Sequence, residues 1–270
     1  MPVSYQGELE TVNGIPIEKI TLKSTKGRQD TCFAKELFKD RTLLIELAFP
    51  RSKNADFANP GRSFQYNGRH YELLSSKIMD NGFEMPGVKK KCVRLLYVAA
   101  SPEMSLRDEL DRVADFPSLP GAHKVAARLE LFQSTAPIKR VFHCHAADFK
   151  SIDEPQPSGE SGGCGFISEG VLVKMLGCGK AAKRVTSIQV RIFAPQLGIF
   201  KGILRRQINI EGVQLPPSMR KVPPSIKNQE DWAVVIITKE FPSNAHLQTA
   251  TWLAGGTPAN SWKQHKFGPM

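Results

Sequence analysis

Apolar and polar residues alternate through the first half of the chain in runs of strand length. The run Thr42–Phe49, which a proline closes, predicts one strand, and Val93–Val98 predicts another. Residues Ser63–Tyr71 alternate on both sides of an Asn67-Gly68 step, which is a preferred loop of a two-residue β-hairpin. The pattern therefore predicts a hairpin accompanied by further strands.

The second half of the chain is richer in predicted strands. The range Ser187–Phe193 alternates strictly between apolar and polar residues. Its two faces carry, respectively, Ile188, Val190 and Ile192, and Gln189 and Arg191. Leu204–Ile210 and Trp232–Thr238 predict two more strands. Many short strands with frequent glycine favour a compact barrel.

Cap residues predict three short helices. The pair Ser101-Pro102 predicts a helix start, with a cap residue followed by a first-turn proline, and this helix runs to Val113. A second helix is predicted within Ser168–Gly177 and a third within Ser243–Gly255, because each range begins with a capping serine and ends with glycine.

A segment rich in glycine, serine and proline, Ser151–Gly163, separates the two halves. We expect a mixed helix and strand region over 1–150, a barrel over 151–245 and the start of a helical segment over 246–270. These elements together predict an α+β fold with short helices. A chain of 270 residues, 41% of them hydrophobic, can form one large domain or two ordinary ones.

Composition restricts the class of protein. No run of about eighteen apolar residues predicts a membrane span, and the first residues lack the basic and apolar regions of a secretory signal. Five widely spaced cysteines without a CxxC pair favour a reducing compartment, the cytoplasm or the nucleus. A formal net charge of +11 predicts a polyanionic partner, and nucleic acid is favoured because no basic amphipathic helix for a membrane surface is visible.

Most of this charge lies in about one fifth of the chain. The window Val171–Lys227 holds eleven lysines and arginines and one acid, Glu211, which is a net charge of +10. Like charges repel unless a polyanion offsets them, and here they alternate with strand-like segments and turns. We interpret the window as an ordered phosphate-binding surface; the alternative is a solvated face.

Three motifs follow one another along this part of the chain. They are Gly163-Cys164-Gly165-Phe166-Ile167-Ser168, then Gln189-Val190-Arg191 with Phe200-Lys201-Gly202-Ile203-Leu204, and then Leu215-Pro216-Pro217-Ser218-Met219-Arg220-Lys221. Their order and spacing resemble the DGxGxIS, QxRxxGxKGxL and LRPSMxKF motifs of the cell-encoded RNA-dependent RNA polymerases of eukaryotic RNA silencing. Gly162 stands where the first motif has an acid, and Pro216 stands where the last has an arginine.

Further segments extend the resemblance over Phe64–Ala254. Phe64–Tyr71 and Lys124–Arg128 resemble the family's upstream block, and Trp232–Lys239 resembles the stretch beyond its first barrel. The extra residues Ala194–Gly198 favour a fungal-type member.

The resemblance implies an enzyme that copies single-stranded RNA into double-stranded RNA from nucleoside triphosphates. Members of this family build the active site from two double-psi β-barrels, and a DxDGD loop of the second barrel holds the catalytic Mg²⁺ ions. This chain contains no DxDxD sequence. We therefore expect an N-terminal piece that runs through the first double-psi barrel and binds RNA without synthesising it. The second barrel and the Mg²⁺ ligands would lie outside the chain.

Five motif residues are expected to hold nucleotide phosphates. They are Lys201, Lys221, Arg220, Arg191 and Gln189. Lysine presents a compact charge, and the glycine that follows Lys201 leaves room for close approach of a phosphate to the backbone. Such cations would offset the charge of a triphosphate and position it against the metal ions.

Other basic residues of the window are expected to contact RNA. These are Lys180, Lys183, Arg184, Arg205 and Arg206. Adjacent residues on a strand point to opposite faces, so at most one of the last two lines a groove. Four small motif residues are expected to shape the local backbone. They are Gly163, Gly165, Gly202 and Ser218.

Two other functions fit parts of the sequence. A truncated paralogue would bind RNA or regulate without polymerase activity. A metal-dependent hydrolase would use His143 and His145, which share one face of a predicted strand but lack a second ligand pair at useful spacing. No residue of the chain is predicted to be catalytic or to hold a metal. Four acids are interpreted as a solvated helix face, since they follow helical spacing. They are Asp108, Glu109, Asp111 and Asp115.

Overall fold

The computed structural model describes residues 11–12, 15–16, 30–49, 63–66, 68–79, 84–85, 88–89, 91–153, 163–177 and 184–242. The strands of these residues are β1 Thr11–Val12, β2 Ile15–Pro16, β3 Asp30–Cys32, β4 Thr42–Phe49, β5 Ser63–Tyr66, β6 Arg69–Met79, β7 Glu84–Met85, β8 Val88–Lys89, β9 Lys91–Ala99, β10 Thr135–Pro137, β11 Val141–Cys144, β12 Phe149–Ser151, β13 Cys164–Ser168, β14 Val185–Ala194, β15 Gly198–Gln207, β16 Val213–Leu215, β17 Arg220–Val222 and β18 Ala233–Pro242. The α-helices are α1 Phe33–Phe38, α2 Leu106–Val113, α3 Ala122–Leu129 and α4 Glu169–Leu176. Short 3₁₀ helices cover Lys39–Arg41, Glu130–Gln133, Ile138–Arg140, Ala146–Asp148 and Pro217–Met219.

The predicted α+β class is confirmed, with strands outnumbering short helices. A mixed sheet has the strand order β11-β18-β14-β15-β13-β16-β12, and β17 also pairs with β15. Strands β13 and β15 run parallel, as do β12 and β16, whereas β13 and β16 run antiparallel. The chain folds into two compact units, which are described separately. The first comprises Met1–Asp148, Arg191–Lys201 and Arg220–Thr238, and the second comprises Phe149–Val190, Gly202–Met219 and Lys239–Met270.

The first unit contains the antiparallel sheet β4-β9-β6-β5, which confirms the strand and hairpin predictions for this half. Tyr66 pairs with Arg69 across the two-residue loop, where Gly68 has a φ of 72°, a conformation that glycine adopts without strain. The predicted start of the following helix is wrong. The hydroxyl of Ser105, and not that of Ser101, caps α2 by accepting the backbone N–H of Asp108.

Phenylalanines form the centre of the first unit's core. The rings of Phe33 and Phe193 stack with centroids 3.6 Å apart, and Phe132 meets them edge-on at 5.1 and 5.4 Å. All three side chains are almost fully buried. Because Phe33 begins α1, Phe132 follows α3 and Phe193 lies in β14, this cluster holds together elements that are far apart in sequence.

The second unit confirms the helix predicted within Ser168–Gly177. The hydroxyl of Ser168 accepts the N–H of Val171, and α4 ends at Gly177, whose φ is 89°. Strand β15 begins and ends earlier than predicted, because the chain turns after Ala194 and re-enters the sheet at Gly198. The predicted helix within Ser243–Gly255 and most of the segment between Ser151 and Gly163 lie outside the described residues.

None of the helices in the described ranges is long and apolar enough to cross a membrane.

Candidate functional site

Residues of all three motifs meet around Met219 in the second unit. A methyl group added at Gly165 would lie 2.9 Å from the sulfur of Met219 and 3.0 Å from the ring of Pro216. A methyl group added at Gly202 would overlap the carbonyl oxygen of Gly163 and lie 2.9 Å from two side-chain carbons of Met219. Met219 itself is fully buried. We call this contact of Gly163, Gly165, Gly202 and Met219 the motif junction; its close packing explains why glycine stands at both positions.

The structure gives Gly202 a packing role. Its open side faces the carbonyl oxygen of Gly163, which also accepts the N–H of Ile203 at 3.0 Å. Gly163 is buried with a φ of 83°, and Ser218 lies half-buried in the 3₁₀ helix that ends at Met219. Contact of Gly202 with a phosphate stays a prediction.

Lys201 is an exposed residue of β15 that lies within the influence of three other cations. Partial burial lowers the pKa of its ammonium, and the positive charges of Arg191, Arg128 and Lys77 lower it further, while Glu130 opposes them. All five residues belong to the first unit. We call Lys77, Arg128, Arg191 and Lys201 the basic cluster.

Two members of the basic cluster were missed by sequence reasoning. Lys77 lies in β6 and Arg128 at the end of α3, both far upstream of the basic window. Arg128 does belong to Lys124–Arg128, a segment that carries part of the family resemblance, but nothing in the sequence connected it with Lys201. The signal that could have found Arg128 was this resemblance; Lys77 offered none.

Arg191 is a buried cation, with 9% of its surface exposed. The alternation along β14 predicted a polar face shared by Gln189 and Arg191. Gln189 is half-buried, but from Val190 to Ala194 every residue of the strand is buried, because both faces of that part are covered. Burial lowers the pKa of the Arg191 guanidinium, since a charged group loses solvation in the interior.

Strand β17 presents two further predicted phosphate ligands. Ile199 pairs with Val222 and Phe200 pairs with Arg220, so the strands form a bulge at Lys221. The guanidinium of Arg220 lies 5.5 Å from the centroid of the Phe200 ring, a cation–π contact that orients an otherwise exposed side chain. Lys221 is half-buried.

The residues predicted to contact RNA are distributed differently. Arg205 and Arg206 are half-buried on β15, and Arg206 lies 3.7 Å from the carboxylate of Glu169. Arg184 is exposed just before β14. Lys180 and Lys183 lie outside the described residues. Their contact with RNA stays a prediction.

The prediction that four acids form a solvated helix face is wrong for Glu109 and Asp111, and Asp115 lies beyond the end of α2. Asp111 is buried, and its carboxylate accepts a hydrogen bond from the ammonium of Lys227 at 2.9 Å. The same ammonium donates a second hydrogen bond to Asp108 at 3.0 Å. These hydrogen bonds raise the pKa of Lys227. Glu109 pairs with Arg41. Lys227 therefore joins its loop to α2, a contact between residues more than 100 positions apart that local spacing could not indicate.

The two histidines of the hydrolase alternative lie at the surface beside acids. His143 is 3.5 Å from a carboxylate oxygen of Glu36, and His145 is 3.3 Å from one of Asp231. Within the described part of the chain, no three histidine, cysteine or acidic side chains gather where a metal ion could bind.

Comparison with known proteins shows a similarity of fold. No sequence family matches the chain, and no curated protein matches it significantly. Among solved structures, it is similar to an RNA-dependent RNA polymerase, QDE-1 from Thielavia terrestris, with a TM-score of 0.55 and 15% sequence identity over 78% of this chain. The chain covers 25% of that polymerase, so the similarity shows that its fold resembles about a quarter of the larger protein.

Proposed function

We propose that this chain is part of an RNA-dependent RNA polymerase of the RNA-silencing type and forms the phosphate-binding side of its active site. The observation that carries the proposal is the motif junction, where residues of three motifs that resemble this family come into contact. The fold similarity to a polymerase supports the same class of protein. The cations near Lys201 supply the charge that a nucleotide or RNA would require.

In this proposal five residues bind the phosphates of a nucleoside triphosphate or of the template. They are Lys201, Lys221, Arg220, Arg191 and Gln189. A single-stranded RNA template would continue along five other basic residues of the window, which are Lys180, Lys183, Arg184, Arg205 and Arg206. Synthesis of RNA requires Mg²⁺, which the proposal assigns to aspartates supplied from outside this chain, since the sequence has no DxDxD segment.

A second candidate is an RNA-binding or regulatory protein without polymerase activity. The observation that favours it is the same lack of a DxDxD segment among the 270 residues. Sequencing the transcript through the codon for Met270 distinguishes the two candidates. An in-frame continuation with a DxDGD-like loop supports the polymerase, and a stop codon supports the RNA-binding protein.

Both candidates predict that the purified chain binds single-stranded RNA and does not extend it. Fluorescence anisotropy with labelled RNA should show weaker binding for K201M and K221M and unchanged binding for K174M, whose lysine is an exposed residue of α4 in the same basic window. Templated, Mg²⁺-dependent nucleotide incorporation by the purified chain would contradict the expected lack of catalysis. Absence of RNA binding would overturn both candidates.

A further inference from the structure

We propose that Lys77 and Arg128 are phosphate ligands of the same site as Arg191 and Lys201, and that the four cations together hold two or more adjacent phosphate groups. This inference rests on the proposed function and deepens it, because it adds ligands from the N-terminal half to a site predicted from the second half. It also specifies a ligand with several negative charges, which a polyphosphate or an RNA backbone provides.

The 3₁₀ helix Glu130–Gln133 brings Lys77 to this site. The buried side-chain amide of Gln133 donates to the carbonyl oxygen of Ser75 at 3.1 Å and to its hydroxyl at 2.7 Å. Ser75 lies in β6, and the regular pairing from Ser75 to Lys77 with β9 places both side chains on one face of the sheet. Lys77 therefore extends from the face of β6 that Gln133 contacts through Ser75.

The same 3₁₀ helix anchors the end of α3, which holds Arg128, against β14, which holds Arg191. Phe132 meets Phe193 edge-on with ring centroids 5.4 Å apart. Arg191 precedes Phe193 by two residues on β14, and Arg128 lies at the end of α3, directly before the 3₁₀ helix that holds Phe132. Because residues two apart on a strand share a face, Arg191 extends from the face of β14 that Phe132 contacts, and Arg128 lies four residues before Phe132 in the chain.

The charges of the cluster are not balanced within it. The positive charges of Arg191, Arg128 and Lys77 act on Lys201, and they outnumber the one carboxylate that acts on it, that of Glu130. Arg191 is buried, and the Nε–H of Arg128 is buried without a hydrogen-bond partner in the described part of the protein. A buried or partly buried cation is unfavourable unless an anion compensates it. A phosphate group supplies both the negative charge and the hydrogen-bond acceptors that guanidinium groups require.

An RNA backbone and a nucleoside triphosphate both supply such phosphate groups, and binding measurements distinguish the two. We would titrate the purified chain with labelled single-stranded RNA at several salt concentrations and compete with ATP. If RNA phosphates occupy the cluster, K77M and R128M should each reduce the slope of log affinity against log salt by about 0.7, the value for one lost phosphate contact on a single strand. If a triphosphate occupies it, ATP should bind the wild type, and the two variants should weaken ATP binding about tenfold or more.

Two further variants separate a ligand from a structural residue. K124M removes an exposed lysine of α3, one helical turn before Arg128, and should leave RNA and ATP binding unchanged. R128K keeps the positive charge and should retain more binding than R128M. If R128M fails to fold, R128K still tests the role of residue 128. Thermal unfolding should show no loss of stability in K77M, because this substitution removes repulsion between Lys77 and the other cations of the basic cluster.

The outcomes distinguish failure of this inference from failure of the proposed function. If K77M and R128M bind RNA and ATP like the wild type while K201M is weakened, the inference is overturned and the proposed function stands. If K77M and R128M lose binding only in proportion to a lowered melting temperature, the residues are structural and the inference is overturned. If the wild type binds neither RNA nor ATP, both are overturned.

Discussion

The surroundings of Lys201 disfavour the positive charge of its side chain. Partial burial and the neighbouring cations lower the pKa of its ammonium below the ordinary value of 10.5. Between the lowered pKa and 10.5, the unfolded chain therefore binds more protons than the folded chain at this residue. Its contribution to the free energy of unfolding thus rises with pH through that range, and the charged form at neutral pH opposes folding.

Replacement of Lys201 by methionine should therefore separate stability from binding. We expect K201M to unfold at the same or a slightly higher temperature at pH 7. Its free energy of unfolding should rise by roughly 0.5 kcal/mol or less, because residue 201 is exposed and its charge is screened by solvent. The gain should shrink in about 1 M salt, where repulsion is screened. Thermal unfolding followed by circular dichroism measures it, and a marked fall in melting temperature would contradict the repulsion argument.

At the scale of elements, the motif junction depends on the close approach of three chain segments. Strand β13, strand β15 and the 3₁₀ helix Pro217–Met219 contribute Gly165, Gly202 and Met219. Two of these positions have no space for a β-carbon. The junction is thus a packing unit whose geometry is set by the absence of side chains at two positions.

Substitution of Gly202 by alanine should destabilise the second unit. The added methyl group would overlap the backbone of Gly163, whose carbonyl oxygen is held by a hydrogen bond from Ile203, so we expect a loss of roughly 3 kcal/mol. G170A is the matched control. A methyl group at Gly170 in α4 meets nothing within 4 Å, and alanine favours a helix by about 0.5–1 kcal/mol. Urea unfolding compares the two; equal stability of G202A and wild type would contradict the close packing.

At the scale of the whole molecule, we expect a net charge of +11 to make stability depend on anions. Tripolyphosphate, at constant ionic strength, should raise the melting temperature of the wild type, because a ligand that binds only the folded state stabilises it by about 2.7 kcal/mol at a hundredfold excess over its Kd. The shift should be smaller for K201M and unchanged for K174M. Equal shifts in all three proteins would indicate a general salt effect.

Local pattern accounts for the elements that were predicted correctly. The strand Thr42–Phe49, the hairpin at Asn67-Gly68 and the helix after Ser168 each depend on residues within about ten positions of one another. Side-chain alternation, turn conformation and capping act over that distance, so they are visible in a sequence. The start of α2 was misplaced because both Ser101 and Ser105 can cap a helix, and only Ser105 does.

The sequence by itself determined the α+β class, the large positive charge and the motifs whose resemblance suggests a polymerase, since these follow from composition and order along the chain. The folded structure decided which charges act together. It placed Lys77 and Arg128 with Lys201, and directed Lys227 to Asp111 instead of to a ligand. Packing of the phenylalanine core and pairing of distant strands bring these side chains together. Local pattern does not contain such contacts, because they join residues separated by about sixty or more positions.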